Sequence, residues 1–107
     1  MSPYEFVNYL EKKNVTLSLP VIDTNTKSMF FKTWRPKDKL IKGPLGNLEP
    51  SKNQKSILPQ ILVVPMLSFD KELYRLGYGG GYYDTSINIL KNYFKKEKKF
   101  FITIGLA

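Results

Sequence analysis

Four glycines fall within five residues, at Gly77, Gly79, Gly80 and Gly81, between a short apolar run and an amphipathic stretch. Few folds have a place for that arrangement. Before it, Ile61-Leu62-Val63-Val64 is continuous and apolar, as in a strand buried on both faces of a parallel sheet. After it, Tyr83, Ile87, Leu90 and Phe94 recur at i, i+4, i+7 and i+11, which marks one face of a helix. Phe100-Phe101-Ile102-Thr103-Ile104 then reads as a second buried strand. Strand, loop, helix, strand is a βαβ unit, which closes right-handed with its strands parallel. The chain is therefore expected to be α/β, as one domain without internal repeats.

The earlier part of the chain supplies simpler elements. Ser2-Pro3-Tyr4-Glu5 predicts a helix start, with Ser2 as N-cap, Pro3 at the first helical position and Glu5 closing a capping box. Phe6, Val7 and Leu10 give its apolar stripe, and Lys12-Lys13-Asn14 ends it. Residues 15–19 read as a strand running into Pro20. Asp23-Thr24-Asn25-Thr26-Lys27 is a polar turn, and residues 29–34 a second strand. From Arg35 to Pro59 the frequent Pro and Gly predict one long loop.

In a βαβ unit ligands gather where the carboxyl end of a strand runs into a helix N-terminus. The loop there reads Arg75-Leu76-Gly77-Tyr78-Gly79-Gly80-Gly81-Tyr82-Tyr83-Asp84. Its glycines allow close backbone approach, and successive amides before a helix cradle phosphate oxygens. Arg75 adds a fork of donors suited to phosphate. A dinucleotide fingerprint needs glycine where Tyr82 stands, and no Gly-Lys-Ser/Thr triplet follows to make a Walker A loop. Asp84 reads either as the helix N-cap or as an oxygen ligand for Mg²⁺ beside bound phosphates. Tyr83 falls on the core stripe, whereas Tyr82 is turned from it and freer to line a site.

Composition narrows the chemistry. There is no cysteine and no histidine, which excludes a disulfide scaffold, a thiolate nucleophile and an imidazole acid or base from these residues. Seventeen Lys and Arg against nine acidic residues leave a net charge of +8, which favours anionic partners without naming one. Five of the lysines lie between Lys91 and Lys99, and read as the solvated face and end of a helix, where cations suit the dipole. No nucleic-acid-binding pattern accompanies them, so no specific nucleic-acid partner is expected. No apolar run spans a bilayer and Met1-Ser2-Pro3-Tyr4-Glu5 has no signal-peptide character, so a cytoplasmic protein with no membrane partner is expected.

The run Val64-Pro65-Met66-Leu67-Ser68-Phe69-Asp70, followed by Tyr74 and the string from Arg75 to Asp84, resembles the signature of the 5-formyltetrahydrofolate cyclo-ligases. Leu19-Pro20-Val21, Leu48-Glu49-Pro50 and Ile104-Gly105-Leu106-Ala107 are similar to other segments of that family, so the resemblance runs through nearly the whole chain. It implies a three-layer α/β fold with a mainly parallel sheet, of the ribose-isomerase and CoA-transferase type. It also implies ATP-dependent conversion of 5-formyltetrahydrofolate to 5,10-methenyltetrahydrofolate, with Mg²⁺ as cofactor and release of ADP and phosphate.

Carried over by position, Arg75, Leu76, Gly77, Tyr78, Gly79, Gly80, Gly81, Tyr82 and Tyr83 would bind ATP. Tyr78, Gly79, Gly80, Gly81 and Tyr82 would border the folate, and Asp84 would be a Mg²⁺ ligand. No catalytic residue is assigned. Trp34 and Phe31 are candidates to stack on a pterin or simply to pack. The chain departs from the family at Leu73, where a turn glycine is common, and at Thr85, where arginine is common. Family members also begin earlier, with ATP-binding basic residues and a substrate-contacting glutamate, and extend further, to a second acidic Mg²⁺ ligand. Residues 1–107 are thus expected to be an incomplete domain truncated at both ends. It would either turn over, or keep nucleotide or folate binding without catalysis. The full-length family is expected to be monomeric, whereas exposed strands in this chain favour self-association.

Overall fold

The computed structural model describes residues 2–65 and 82–106. Helix α1 (Pro3–Lys12) begins as its sequence requires: Glu5 N–H donates to the Ser2 hydroxyl at 3.1 Å, and proline occupies the first turn. It stops at Lys13, and Asn14 turns the chain with φ of 59°.

Strands β1 (Ser18–Asp23) and β2 (Ser28–Thr33) pair antiparallel through six residues, from Ser18↔Thr33 to Asp23↔Ser28. The Asp23 carboxylate builds the turn between them, accepting from Asn25 N–H at 2.9 Å. β1 starts three residues later than the propensities of residues 15–19 suggest, and Pro20 lies inside it rather than beyond it. Proline is tolerated because β1 is an edge strand, in a sheet ordered β1, β2, then β5 (Ser56–Ile57). The nitrogen of Pro20 lies on the same side of β1 as that of Ile22, which faces away from β2, so no ladder bond is lost.

The expected long loop is a correction. Residues 35–59 contain β5 and a hairpin of β3 (Leu40–Lys42) and β4 (Leu48–Pro50). Gly46, at φ of +80°, takes the left-handed turn position that glycine adopts without strain. Strands this short carry too little periodicity to stand out among prolines and glycines.

β6 (Ile61–Pro65), α2 (Tyr83–Lys96) and β7 (Ile102–Leu106) form the βαβ unit, with β6 and β7 parallel from Ile61↔Ile102 to Pro65↔Leu106. Here the mixed α/β class holds, but a mainly parallel sheet is not what the described strands form. β6–β7 is the parallel pair among them, and the other ladders are antiparallel. For β1–β2 and β3–β4 the reason is connection length: short turns join them, and a parallel pairing needs a crossover of a dozen or more residues. Nor are the two parallel strands buried on both faces, since Leu62 is buried whereas Ile61, Ile102 and Ile104 are exposed.

The core brings these parts together. Ile22, Met29 and Phe31 from the hairpin meet Leu62 from β6 and Tyr82, Leu90 and Phe94 from the helical segment. Phe94 stacks on Phe101 with ring centroids 6.0 Å apart. Each large side chain so buried contributes about 1.5–3 kcal/mol. The five lysines at positions 91, 95, 96, 98 and 99 are all exposed, as their place on the polar face requires. Among the described residues no helix is long and apolar enough to cross a membrane.

Candidate active site

Because β6 and β7 are parallel, their C-terminal ends lie together, and the chain leaves β6 at that end to return as α2. Ligands of α/β units bind there. Of the residues expected to form the site, Arg75, Leu76, Gly77, Tyr78, Gly79, Gly80 and Gly81 lie outside the described residues, as does Leu73. Tyr82, Tyr83 and Asp84 are described, and the structure distinguishes them sharply.

Tyr82 is buried, 6% exposed, and belongs to the hydrophobic core. This corrects its expected position off the core stripe. The buried line of the helical segment is Tyr82, Ser86, Leu90 and Phe94, at intervals of four, with Tyr83 and Ile87 half-buried beside it. A 3.6-residue period is matched about equally by the two neighbouring lines, and contact with β2 selects the one containing Ser86. Tyr83 packs at the edge of the core, where burial raises its phenol above the ordinary value of 10.0 and keeps it a neutral hydroxyl.

Asp84 is exposed in the first turn of α2. The N-cap is Tyr82, whose side chain makes no capping bond, so Asp84 stands two residues inside the helix and is not its cap. Its carboxylate is favoured there by the helix dipole and faces solvent. Among the described residues no three His, Cys, Asp or Glu side chains gather into a metal cage. Mg²⁺ does not need one beside phosphates, since it is held through one or two carboxylates and the phosphate oxygens themselves. A single exposed carboxylate in the first turn of a helix fits that donor set.

Two residues without an assigned role fix where this end of the molecule sits. Ser86, 1% exposed, accepts from Met29 N–H at 2.8 Å and donates to Met29 C=O at 3.3 Å. The hydroxyl completes the stretch of β2 that β5 does not reach, pinning α2 to the hairpin two residues beyond Asp84. Glu49, 5% exposed, does the same for the other edge: its Oε2 accepts from Ile22 N–H at 2.8 Å and from the Asn47 side chain at 2.9 Å. Gly43 makes room for it, since a Cβ there would lie 2.5 Å from Glu49 Cδ. A serine on an otherwise apolar helix stripe was a visible signal for Ser86, whereas nothing local distinguishes Glu49 from a surface carboxylate. Of the two aromatic candidates, Phe31 is a core residue, 3% exposed. Trp34 is half-buried near the end of β2.

Comparison with known proteins bears on the same residues. The model of the 5-formyltetrahydrofolate cyclo-ligase family matches residues 3–107. A 5-formyltetrahydrofolate cyclo-ligase of Haemophilus influenzae is 36% identical over 104 residues, which cover 92% of this chain and 51% of that protein. The proteins of the same name from Escherichia coli K12 and O157:H7 are each 30% identical over 80 residues, covering 70% of this chain and 44% of theirs. The chain thus spans about half the length of the curated relatives it matches. No solved structure matches it significantly. With the family's model aligned from the first turn of α1 through β7, the chain belongs to the 5-formyltetrahydrofolate cyclo-ligase family.

Proposed function

We propose that residues 1–107 form part of one cyclo-ligase domain of the family's three-layer type, and that this domain converts 5-formyltetrahydrofolate to 5,10-methenyltetrahydrofolate with ATP. In this reaction the formyl oxygen takes the γ-phosphoryl group and ADP leaves. The second folate nitrogen then attacks the activated carbon, and phosphate departs with the former formyl oxygen. The observation that carries this reading is the family match through the whole βαβ unit, with an exposed carboxylate at the start of its helix.

Residues 75–83 would wrap the ATP phosphates and residues 78–82 would border the folate. The burial of Tyr82 supports a contribution from its main chain rather than an exposed ring. Asp84 would hold Mg²⁺, which when bound neutralises charge on the phosphate oxygens. With no histidine or cysteine in the chain, these residues act by positioning and charge stabilisation.

The test mixes the chain with Mg-ATP and 5-formyltetrahydrofolate and follows methenyl-folate by absorbance. Product is expected, and Asp84→Asn is expected to lower its rate by more than the roughly 10–100-fold typical of losing a partner behind a metal ligand. ATP binding without product would replace the proposal with a binding role that has lost catalysis. Loss of both would remove it.

A further inference from the structure

At the far end of α2 from Asp84 the structure carries an open groove of about 480 Å³. Phe30 of β2, Ile57 of β5, Leu58, Gln60, Tyr93 of α2 and Lys99 line it. Tyr93 stands nine residues after Asp84 in the same helix, roughly 14 Å of helix rise. The groove is thus separate from the candidate active site.

Its lining is apolar and aromatic, and it is open to solvent. Phe30 is 42% exposed, Leu58 49% and Tyr93 40%. One end is tied by Gln60, whose side-chain Nε2 donates to Phe100 C=O at 3.1 Å and so joins the start of β6 to the chain leaving α2. The charge around it has one sign. Residues 28–33, 54–60 and 91–99, the segments that supply the lining, hold seven lysines against Glu97 alone. Lys99 lines the groove itself, and among the described residues no carboxylate does. Lys32 Nζ lies 5.8 Å from the centre of the Phe30 ring and so places a second cation beside the apolar lining.

We infer that this groove binds a small aromatic carboxylate, its flat ring against Phe30, Leu58 and Tyr93 and its charge toward Lys99. A volume of this size suits a ligand of one or two rings. Apolar contact would supply most of the affinity, since exposed cations in water add only modestly to it. Charge would instead decide which ring compounds are preferred, favouring an anion over a neutral or cationic one.

The test titrates the chain with 2-naphthoate and with the neutral 2-naphthylmethanol at low ionic strength, following amide resonances in a nitrogen-15 correlation spectrum. Naphthoate should shift the amides of Phe30, Leu58, Tyr93 and Lys99 saturably. It should bind about threefold to fivefold more tightly than the alcohol, the ratio expected of an exposed charge pair. Lys99→Glu should abolish that preference and leave the affinity for the alcohol unchanged. Leu58→Ala should weaken both compounds, and Asp84→Asn should alter neither. Equal affinity for the two compounds overturns the inference. So does a preference that survives Lys99→Glu, or a set of shifted amides centred elsewhere in the chain.

Discussion

The β1–β2 hairpin and the β6–β7 pair are both built from apolar strands, yet they satisfy themselves differently. The hairpin puts Ile22, Met29 and Phe31 at 5% exposure or less and answers the outward N–H groups of Ile22 and Met29 with Glu49 and Ser86. The parallel pair buries Leu62 beneath α2, while Ile61, Ile102 and Ile104 on its other face stay 51%, 47% and 43% exposed. Ile61 and Ile102 are register partners and Ile104 lies two residues on, so the three share a face. Parallel sheets are ordinarily covered on both faces. Stability among the described residues therefore resides in the hairpin, the helix and the inner face of the pair.

The largest expected effect tests where those parts meet. Phe94 is 4% exposed, stacked on Phe101 and in the same cluster as the hairpin residues. Phe94→Ala should lower the unfolding free energy by about 3–5 kcal/mol in urea titration. A loss near 1 kcal/mol would mean that the hairpin and the βαβ unit are not joined through this side chain.

Glu49 comes next. Glu49→Ala leaves Ile22 N–H buried without an acceptor and should cost about 1.5–3 kcal/mol. Glu49→Gln, which keeps an oxygen there, should recover part of it. Gly43→Ala should be destabilising for the same reason, because its methyl group would overlap the glutamate. If Glu49→Ala were neutral, the outer edge of β1 would be satisfied by solvent, and the contrast between the two regions would reduce to apolar burial alone.

How far the sequence discloses these features follows from their physical range. The α1 cap, the hairpin turn at Asp23 and the βαβ order depend on neighbours within a few residues, and each is readable from spacing. Pro20 inside a strand is not, because its tolerance depends on β1 lying at a sheet edge. The choice between Tyr82 and Tyr83 as the buried ring depends on how α2 meets β2, a contact across more than fifty residues. The candidate site divides likewise. Its glycine run and Asp84 stand out as a local motif, and Ser86 is marked only as a polar residue on an apolar stripe, whereas Glu49 declares itself only through the partners that the fold brings to it.

The smallest effect sharpens the comparison most. Ile104 lies on the exposed face of β7, so Ile104→Thr, which keeps β-branching, should change stability by no more than about 0.5 kcal/mol. Its counterpart on the inner face, Leu62→Ala, should cost about 2–5 kcal/mol. Sedimentation velocity at rising concentration adds a second reading of the same face. A chain that associates through Ile61, Ile102 and Ile104 should do so less after Ile104→Thr, with its unfolding midpoint at low concentration unchanged. Should Ile104→Thr instead cost as much as Leu62→Ala in dilute solution, that face would be covered within a single chain, and the difference between the two regions would disappear.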